Sequence, residues 1–194
     1  MKVVAIQSSA NRDGLTASLT ESALEGAETA GADVQLLHLN EFEVEVCRAC
    51  GTGWGHHFEQ DAELAAYECV IDDDFADLRS RIVDADGLIF ATPVYFWDMS
   101  ESAKVFLDRI RRTHYPIRET SPFVGKPVVS IAAAGGSGNG AADAGRIMEN
   151  FFSKWMQMKR AATVPVTRQT AQMHRDTIHQ TGALLVDMVR KKKG

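Results

Sequence analysis

Long uncharged stretches are absent from this sequence of 194 residues. A helix that crosses a bilayer needs about 20 consecutive apolar residues, so the sequence predicts a soluble protein without a membrane partner. Basic side chains are in the minority, with 21 lysines and arginines against 26 acidic residues and a formal net charge of −5. Because the phosphodiester backbone binds surfaces rich in positive charge, we expect no nucleic-acid partner.

Cysteine is also scarce, and the three residues are Cys47, Cys50 and Cys69. An odd number of cysteines, together with an N-terminus that shows no secretion signal, predicts a protein of the reducing cytoplasm. The length and the 45% share of hydrophobic residues predict one domain over residues 1–194. A core of that size needs neither a disulfide nor a metal ion for stability.

Short β-branched and apolar runs alternate with longer segments of helical period along the chain. The predicted strands cover residues 3–7, 34–38, 87–92, 128–133 and 163–166. Apolar residues at helical spacing predict five helices, within 19–27, 75–82, 103–110, 147–156 and 178–188. This alternation is typical of a three-layer α/β sandwich, a five-stranded parallel sheet with helices on both faces.

An open sheet of this kind binds ligands at the carboxyl ends of its strands, where the strand order reverses. Three connections should meet there, namely residues 8–16, 92–100 and 134–140. Two longer stretches, 40–72 and 113–126, exceed the usual length of a connection and are candidate walls of the site.

The connection after the first strand is rich in hydroxyl groups and opens directly into a helix. The hydroxyls of Ser9 and Thr16, the Asn11 amide and the free amides of the helix start can donate hydrogen bonds to a phosphate, while Gly14 permits an unusual turn. The segment lacks both GxxxxGK[ST] and GxGxxG, so a monophosphate fits better than a triphosphate or a dinucleotide. Alternatively, Ser9 or Thr16 simply caps the helix.

The other two connections have unusual compositions. Tyr95, Phe96 and Trp97 are consecutive where polar turn residues are the rule, which predicts a flat apolar ligand nearby, or packing under a neighbouring loop or a second subunit. Residues 135–140 include four glycines. Such a run lets the backbone approach a ligand closely, unless it is only a flexible connector.

These segments resemble the flavodoxin-like NAD(P)H-dependent FMN reductase family and its iron–sulfur flavoprotein relatives. Residues 9–16, SANRDGLT, are similar to the family's phosphate loop SPRxGGNT, although Asn11 and Leu15 replace its arginine and asparagine. Residues 85–96, ADGLIFATPVYF, are similar to its pattern ADGIIFGSPVYF. The resemblance implies a flavodoxin-like fold with strand order 2-1-3-4-5 and bound FMN. The implied phosphate-binding residues are Ser9, Asn11, Gly14, Leu15 and Thr16, and the implied ring-binding residues are Pro93, Val94, Tyr95, Phe96, Trp97, Ala134, Gly135, Gly136 and Gly138.

The resemblance also implies an activity. An enzyme of this family passes reducing equivalents from NADH or NADPH through FMN to a quinone, a flavin or a similar small acceptor, and is expected as a homodimer or homotetramer. The alternative is a flavodoxin-like one-electron carrier without nicotinamide turnover. A phosphorelay receiver shares the fold, but residues 7–9, QSS, stand where its paired acids would be. The cofactor supplies the chemistry, so no side chain is assigned as a catalyst; His56, His57 and His114 are proton-donor candidates or plain surface histidines.

Cys47 and Cys50 stand where some of these relatives carry a CxxCxxC cluster motif, and Gly53 occupies the third cysteine position. Because a four-iron cluster normally takes four ligands, the sequence predicts no cluster and no metal. The pair is otherwise a redox dithiol, a zinc site with His56 and His57, or two cysteines without a chemical role.

Overall fold

The computed structural model describes residues 1–49, 69–114 and 119–193. A 3₁₀ turn, Leu39–Glu41, follows the second strand, and the fourth helix continues into a π-helix, Asn150–Trp155. The main elements in chain order are β1 (Lys2–Gln7), α1 (Leu15–Thr29), β2 (Asp33–His38), α2 (Phe75–Asp84), β3 (Gly87–Tyr95), β4 (Asp98–Met99), α3 (Glu101–His114), β5 (Pro127–Ala134), α4 (Ala141–Glu149), β6 (Lys159–Thr167) and α5 (Ala171–Lys193).

Five long strands form one parallel sheet in the order β2-β1-β3-β5-β6. The predicted flavodoxin-like order is therefore confirmed. A sixth strand, β4, has only two residues and pairs antiparallel with the end of β3. The sequence did not predict it, because β3 runs three residues past its predicted end and folds back through aromatic residues rather than through typical turn residues. The predicted connection 92–100 is thus a strand end and a hairpin.

Apolar side chains pack on both faces of the sheet. One cluster lies under α2, α3 and α4, where the rings of Phe75 and Phe106 meet edge to face at 5.9 Å. The second cluster lies under α1 and α5 and includes Leu19, Ile89 and Ile178. Helices cover both faces of the sheet, which confirms the predicted three layers. Strands that are buried on both faces need apolar residues throughout. Within the described ranges, no helix combines the length and the apolar character that a membrane span requires.

Helices α1 and α5 approach each other through glycine. A Cβ placed on Gly26 would lie 1.9 Å from the carbonyl oxygen of His179, and one on Gly182 would lie 1.9 Å from that of Ala23. Real Cβ atoms do not come this close to backbone oxygens, so packing dictates glycine at both positions. The contact fixes α1, whose N-terminus carries the first predicted binding segment.

The chain after β2 is anchored to α3 by Arg109, which is 1% exposed. Its guanidinium forms an ion pair with Asp73, donates to the Glu45 carbonyl at 3.3 Å and to the Cys69 Sγ at 3.2 Å, and lies 4.1 Å from the centre of the Phe75 ring. Burial opposes ionisation of Asp73, but the hydrogen bonds from Arg109 and from two backbone amides outweigh it and lower the pKa of this carboxyl. The pair therefore fastens both described ends of the long connection to the core.

Candidate functional site

The structure brings the three predicted segments to the carboxyl edge of the sheet. Ser8, which follows β1, donates its amide to the Ala91 carbonyl in β3 at 3.0 Å. Residues 94, 96 and 97 of the β3–β4 hairpin line a cleft together with residues 134–139, which follow β5. The site therefore spans three neighbouring strands, as an open parallel sheet predicts.

The first segment, residues 8–16, contains hydrogen-bond donors that have no acceptor in the described part of the chain. Helix α1 starts after Gly14 with no side-chain cap and no acidic residue in its first turn. In the described part of the chain, nothing accepts from the amides of Leu15, Thr16 and Ala17, nor does the Thr16 hydroxyl form a hydrogen bond. The alternative that Ser9 or Thr16 caps the helix is therefore wrong. Free amides at a helix N-terminus favour an anionic group.

Side chains within this segment set its shape. The Ser9 hydroxyl accepts from the Asn11 amide at 3.1 Å, and Asn11 Oδ1 accepts from the Asp13 amide at 3.0 Å. Below them, Gln7 Nε2 donates to the Asn11 carbonyl at 3.4 Å. Leu15 turns its side chain toward the core, which leaves its amide as its only donor. Ser9 and Asn11 thus hold a turn whose outer donors stay free.

The segment also contains one cation, Arg12. Its guanidinium is exposed and forms an ion pair with Glu41 of the 3₁₀ turn. An exposed pair of this kind contributes little to stability, about 1 kcal/mol or less. The donors of this segment that lack partners are therefore neutral groups, and the positive charge of Arg12 is balanced by a carboxylate.

The second segment is a tight hairpin whose turn residues are aromatic. Val94 pairs with Met99 and Tyr95 with Asp98, so Phe96 and Trp97 form a two-residue loop. Both have positive φ angles, 47° and 73°, as this kind of hairpin turn requires. Bulky residues in the left-handed region cost about 1–3 kcal/mol each. Phe96 is 100% exposed and the flanking aromatic rings are at least half exposed, so no described segment covers them.

The third segment closes the cleft from the other side. The cleft has a volume of about 220 Å³ and is lined by Val94, Phe96, Trp97 and residues 134–139. Gly138 and Gly140 have φ angles of 84° and 83°. A Cβ on Gly138 would lie 2.9 Å from Thr167 Cγ2, whereas one on Gly136 would meet no atom within 4 Å. Glycine at 138 is dictated by packing, which a mere flexible connector does not require, and Gly136 leaves the cleft open.

Two of the predicted ring-binding residues are buried. Pro93 is buried within β3 and pairs with Ala133, and Ala134 ends the buried strand β5. Ala134 lines the cleft, whereas Pro93 directly precedes the lining residue Val94. A proline is tolerated there because the strand register leaves no required donor at that position.

A second cleft of about 640 Å³ on the other side of the hairpin was not predicted. Its lining includes Asn40, Tyr95, Glu101 and a group of serines. The Ser100 hydroxyl donates to Ser8 Oγ at 2.9 Å and accepts from the Ala103 amide at 3.4 Å, which caps α3. The sequence signal for this cap is a serine placed just before the amphipathic helix α3.

His114 is not a surface histidine, contrary to one of the two predictions for it. It is fully buried at the end of α3, where Arg79 Nε donates to its Nε2 at 3.0 Å and Ser121 Oγ lies 3.3 Å from its Nδ1. Burial, then the charges of Arg79 and Lys126, lower the pKa of His114 to about 3. Because α3 runs antiparallel to the strands, its C-terminal histidine lies at the opposite edge from the cleft, and it is not a proton donor there.

The remaining candidates fall partly outside the described residues, namely Cys50, His56 and His57. Cys47 and Cys69 are described and are free thiols. Across the described ranges, no three histidine, cysteine or acidic side chains are arranged to hold a metal ion. The absence of a metal or cluster stays a prediction.

Donors for an anion beside an open cleft with aromatic residues on one side suit a phosphorylated planar molecule, and comparison with known proteins agrees. A family profile described as NADPH-dependent FMN reductase matches residues 1–171. An iron-sulfur flavoprotein of Archaeoglobus fulgidus is 31% identical over 110 residues, which are 57% of this chain and 46% of that protein. An iron-sulfur flavoprotein of Methanosarcina thermophila is 29% identical over 143 residues, 72% of this chain and 66% of that protein. The chain thus spans about half to two thirds of the length of these relatives.

A solved structure described as a flavone reductase has the same fold. It aligns with a TM-score of 0.72 and 18% identity, and the alignment covers 100% of this chain and 64% of that one.

Proposed function

This chain belongs to the NADPH-dependent FMN reductase family, and from that premise we propose that it binds FMN and oxidises NADH or NADPH, passing the electrons to a quinone, a flavin or a similar small acceptor. One observation carries the proposal. A helix start with unused donors lies at the same sheet edge as a cleft between an aromatic hairpin and a glycine-rich segment. The helix start therefore suits the phosphate of a phosphorylated planar cofactor, and the cleft suits its ring.

The phosphate is assigned to the start of α1. The Thr16 hydroxyl and the amides of Leu15 and Thr16 donate to it, and the helix dipole favours its charge. Ser9 and Asn11 hold the turn, with Asn11 Nδ2 as a further donor. A Cβ on Gly14 would lie 3.1 Å from that nitrogen, so glycine here keeps the Asn11 amide in place.

The ring is assigned to the cleft. Hydrogen bonds of the described residues use none of the amides of residues 135–138, which are thus free to donate to the polar edge of a flavin. The residues assigned to the two sides are Pro93, Val94, Tyr95, Phe96 and Trp97, facing Ala134, Gly135, Gly136 and Gly138.

When bound, FMN accepts hydride from the nicotinamide and delivers electrons to the acceptor. The chain's own contribution is to orient the ring, to shield one part of it from water and to stabilise negative charge through backbone amides. Among the described residues that line the cleft, none has a titratable side chain. Protons for the product therefore come from solvent or from the acceptor's own surroundings.

Rapid mixing with NADPH under anaerobic conditions tests the activity. The FMN-loaded protein should lose its oxidised flavin absorbance on the timescale of typical enzymes, about 10 s⁻¹, and regain it when a quinone is added. Free FMN at the same concentration is the control. Reduction no faster than in free FMN, with reduction by dithionite intact, would instead support the one-electron carrier.

A homodimer or homotetramer is part of the proposal. The fully exposed Phe96 on a strained turn supports a second subunit that covers the hairpin tip, since aromatic residues are enriched at interfaces. Sedimentation velocity of wild type and Phe96→Ser tests this, because loss of the ring should weaken association. The free thiols of Cys47 and Cys69 support a location in the reducing cytoplasm.

A further inference from the structure

Arg168 stands at the rim of the cleft. It follows β6 directly, and its amide donates to the Ala134 carbonyl at 3.0 Å, which ties it to the end of β5. A terminal guanidinium nitrogen lies 3.5 Å from the position that a Cβ on Gly135 would take. Because Gly135 lines the cleft, this contact places a positive charge against the cleft wall.

The charge of Arg168 has no partner in the described part of the chain. Its guanidinium is exposed and forms neither an ion pair nor a hydrogen bond there. Two other exposed arginines do have carboxylate partners, Arg12 with Glu41 and Arg160 with Glu149. A guanidinium without a carboxylate, held by its own backbone, is a ready donor for a phosphate group.

The surroundings increase the positive potential. The chain enters α5 three residues later, and the first turn of this helix has no acidic residue. Gln169 Oε1 lies 3.8 Å from the Cβ position of Gly138, so the residues just before α5 also lie against the glycine-rich segment. Helix N-termini attract anions, and the described residues that line the cleft itself carry no charged side chain.

The phosphate of FMN is not the group that Arg168 would bind. That phosphate is assigned beside β1, whereas Arg168 follows β6, and β3 and β5 lie between them. Three strand spacings amount to about 14 Å. The ring cleft lies between the two positions, so a second anion near Arg168 has to arrive on the molecule that approaches the ring.

We propose that Arg168 binds a phosphate group of the nicotinamide dinucleotide, either its 2′-phosphate or its pyrophosphate. This inference rests on the proposed function, because the dinucleotide is the hydride donor of that reaction. Arg168 is then a specificity-determining residue. Binding of the dinucleotide phosphate at this edge would direct the nicotinamide toward the cleft.

Binding of the oxidised dinucleotide, which does not react, tests the proposal. Calorimetric titration of FMN-loaded protein with NADP⁺ and with NAD⁺ compares wild type, Arg168→Gln and Arg146→Gln. Arg146 pairs with Asp143 on α4, so its variant removes the same charge from the helix surface. We expect Arg168→Gln to raise the Kd of NADP⁺ at least about tenfold and Arg146→Gln to change it less than about twofold. A loss for NADP⁺ alone identifies the 2′-phosphate, and a loss for both identifies the pyrophosphate.

Equal Kd values for wild type and Arg168→Gln would overturn the proposal. FMN retention and midpoint potential are measured on the same proteins. A lower potential in Arg168→Gln with unchanged NADP⁺ binding would place the arginine on the flavin instead, and the proposal would be wrong. Arg168→Lys, which keeps the charge but not the fork of donors, should recover part of the affinity.

Failure of the proposed function has a different signature. If the wild-type protein does not retain FMN, the proposed function is wrong. In that case 2′,5′-ADP is titrated into the protein as purified, and the result tests the phosphate site at Arg168 independently of FMN. Binding that Arg168→Gln abolishes would uphold a phosphate site, and the absence of binding would refute it.

Discussion

Gly140 and Trp97 are in contact through their backbones. A Cβ on Gly140 would lie 2.5 Å from the Trp97 α carbon, and Gly140 has a φ of 83°. The contact joins the two sides of the ring cleft. The hairpin tip can therefore keep its position only while residue 140 has no side chain.

Gly140→Ala should loosen the cleft. The variant has both a left-handed backbone angle and a steric conflict with backbone atoms, so we expect its free energy of unfolding to fall by about 1–3 kcal/mol. Its affinity for FMN should fall as well, because the hairpin has to move. Urea unfolding and fluorescence titration with FMN measure the two effects.

Gly136→Ala is the matched control for Gly140→Ala. A Cβ there meets no atom within 4 Å, so the free energy of unfolding should change by less than about 0.5 kcal/mol. FMN binding should still weaken, since the new methyl group enters the cleft. If both variants bind FMN as wild type does, the assignment of the ring to this cleft is wrong.

The hairpin turn offers a test in which stability and binding change in opposite directions. Phe96→Asn with Trp97→Gly introduces the residues that a two-residue turn with positive φ angles prefers. We expect the double variant to be more stable by about 1 kcal/mol, because two strained residues are removed. Its FMN affinity should drop because the aromatic contacts are lost. A double variant that unfolds more easily than wild type would show that Phe96 and Trp97 are held by packing and not strained.

The sequence predicted the five parallel strands because most of them are apolar throughout and the helices have a clear period, whereas their order was implied by the resemblance to a known family. The β3–β4 hairpin was not predicted, because aromatic residues are unusual in turns. The ion pair of Arg109 was not predicted for a different reason. Its partner Asp73 is 36 residues away, and no local sequence pattern indicates a contact over that distance. The position of Arg168 against Gly135 likewise depends on two strands becoming neighbours.

The first segment lies at the sheet edge where the sequence places it, and its binding of a phosphate stays a prediction. Donor-rich composition identified Ser9, Asn11 and Thr16, yet only the structure separates their roles, since Ser9 accepts a bond within the turn and Thr16 keeps a free hydroxyl. Leu15 packs its side chain on the core. Loop conformation, which the sequence does not specify, decides which donors point outward.

Removal of the Thr16 hydroxyl should weaken FMN binding selectively. A hydrogen bond to a charged phosphate contributes about 1.5–3 kcal/mol, so Thr16→Val should raise the Kd of FMN about tenfold or more. Riboflavin has no phosphate, and its affinity should stay unchanged. Thr16→Ser retains the hydroxyl and should bind FMN nearly as wild type does. Equal losses for FMN and riboflavin in Thr16→Val would contradict a phosphate role.

The buried His114 makes a prediction about acid stability. Its Nε2 accepts from Arg79, its Nδ1 lies beside Ser121, and its ring meets Phe123 edge to face at 4.5 Å. Burial first, and then the positive charges of Arg79 and Lys126, lower its pKa from 6.5 to about 3. The unfolded chain therefore binds a proton at His114 near pH 6.5, whereas the folded protein binds it only near pH 3.

Between these two pH values, the free energy of unfolding of the wild type should fall as the pH falls, by up to about 1.4 kcal/mol per pH unit from this one group. Carboxylates contribute to the same decline, so the informative quantity is the difference between wild type and His114→Gln, which keeps an acceptor and a donor but does not titrate. Urea unfolding at intervals from pH 8 to pH 4 should show a constant difference above pH 7. Below pH 6.5 the variant should lose stability less steeply. Parallel curves throughout would mean that His114 is protonated in the folded protein, and that the Arg79 hydrogen bond to Nε2 does not exist in solution.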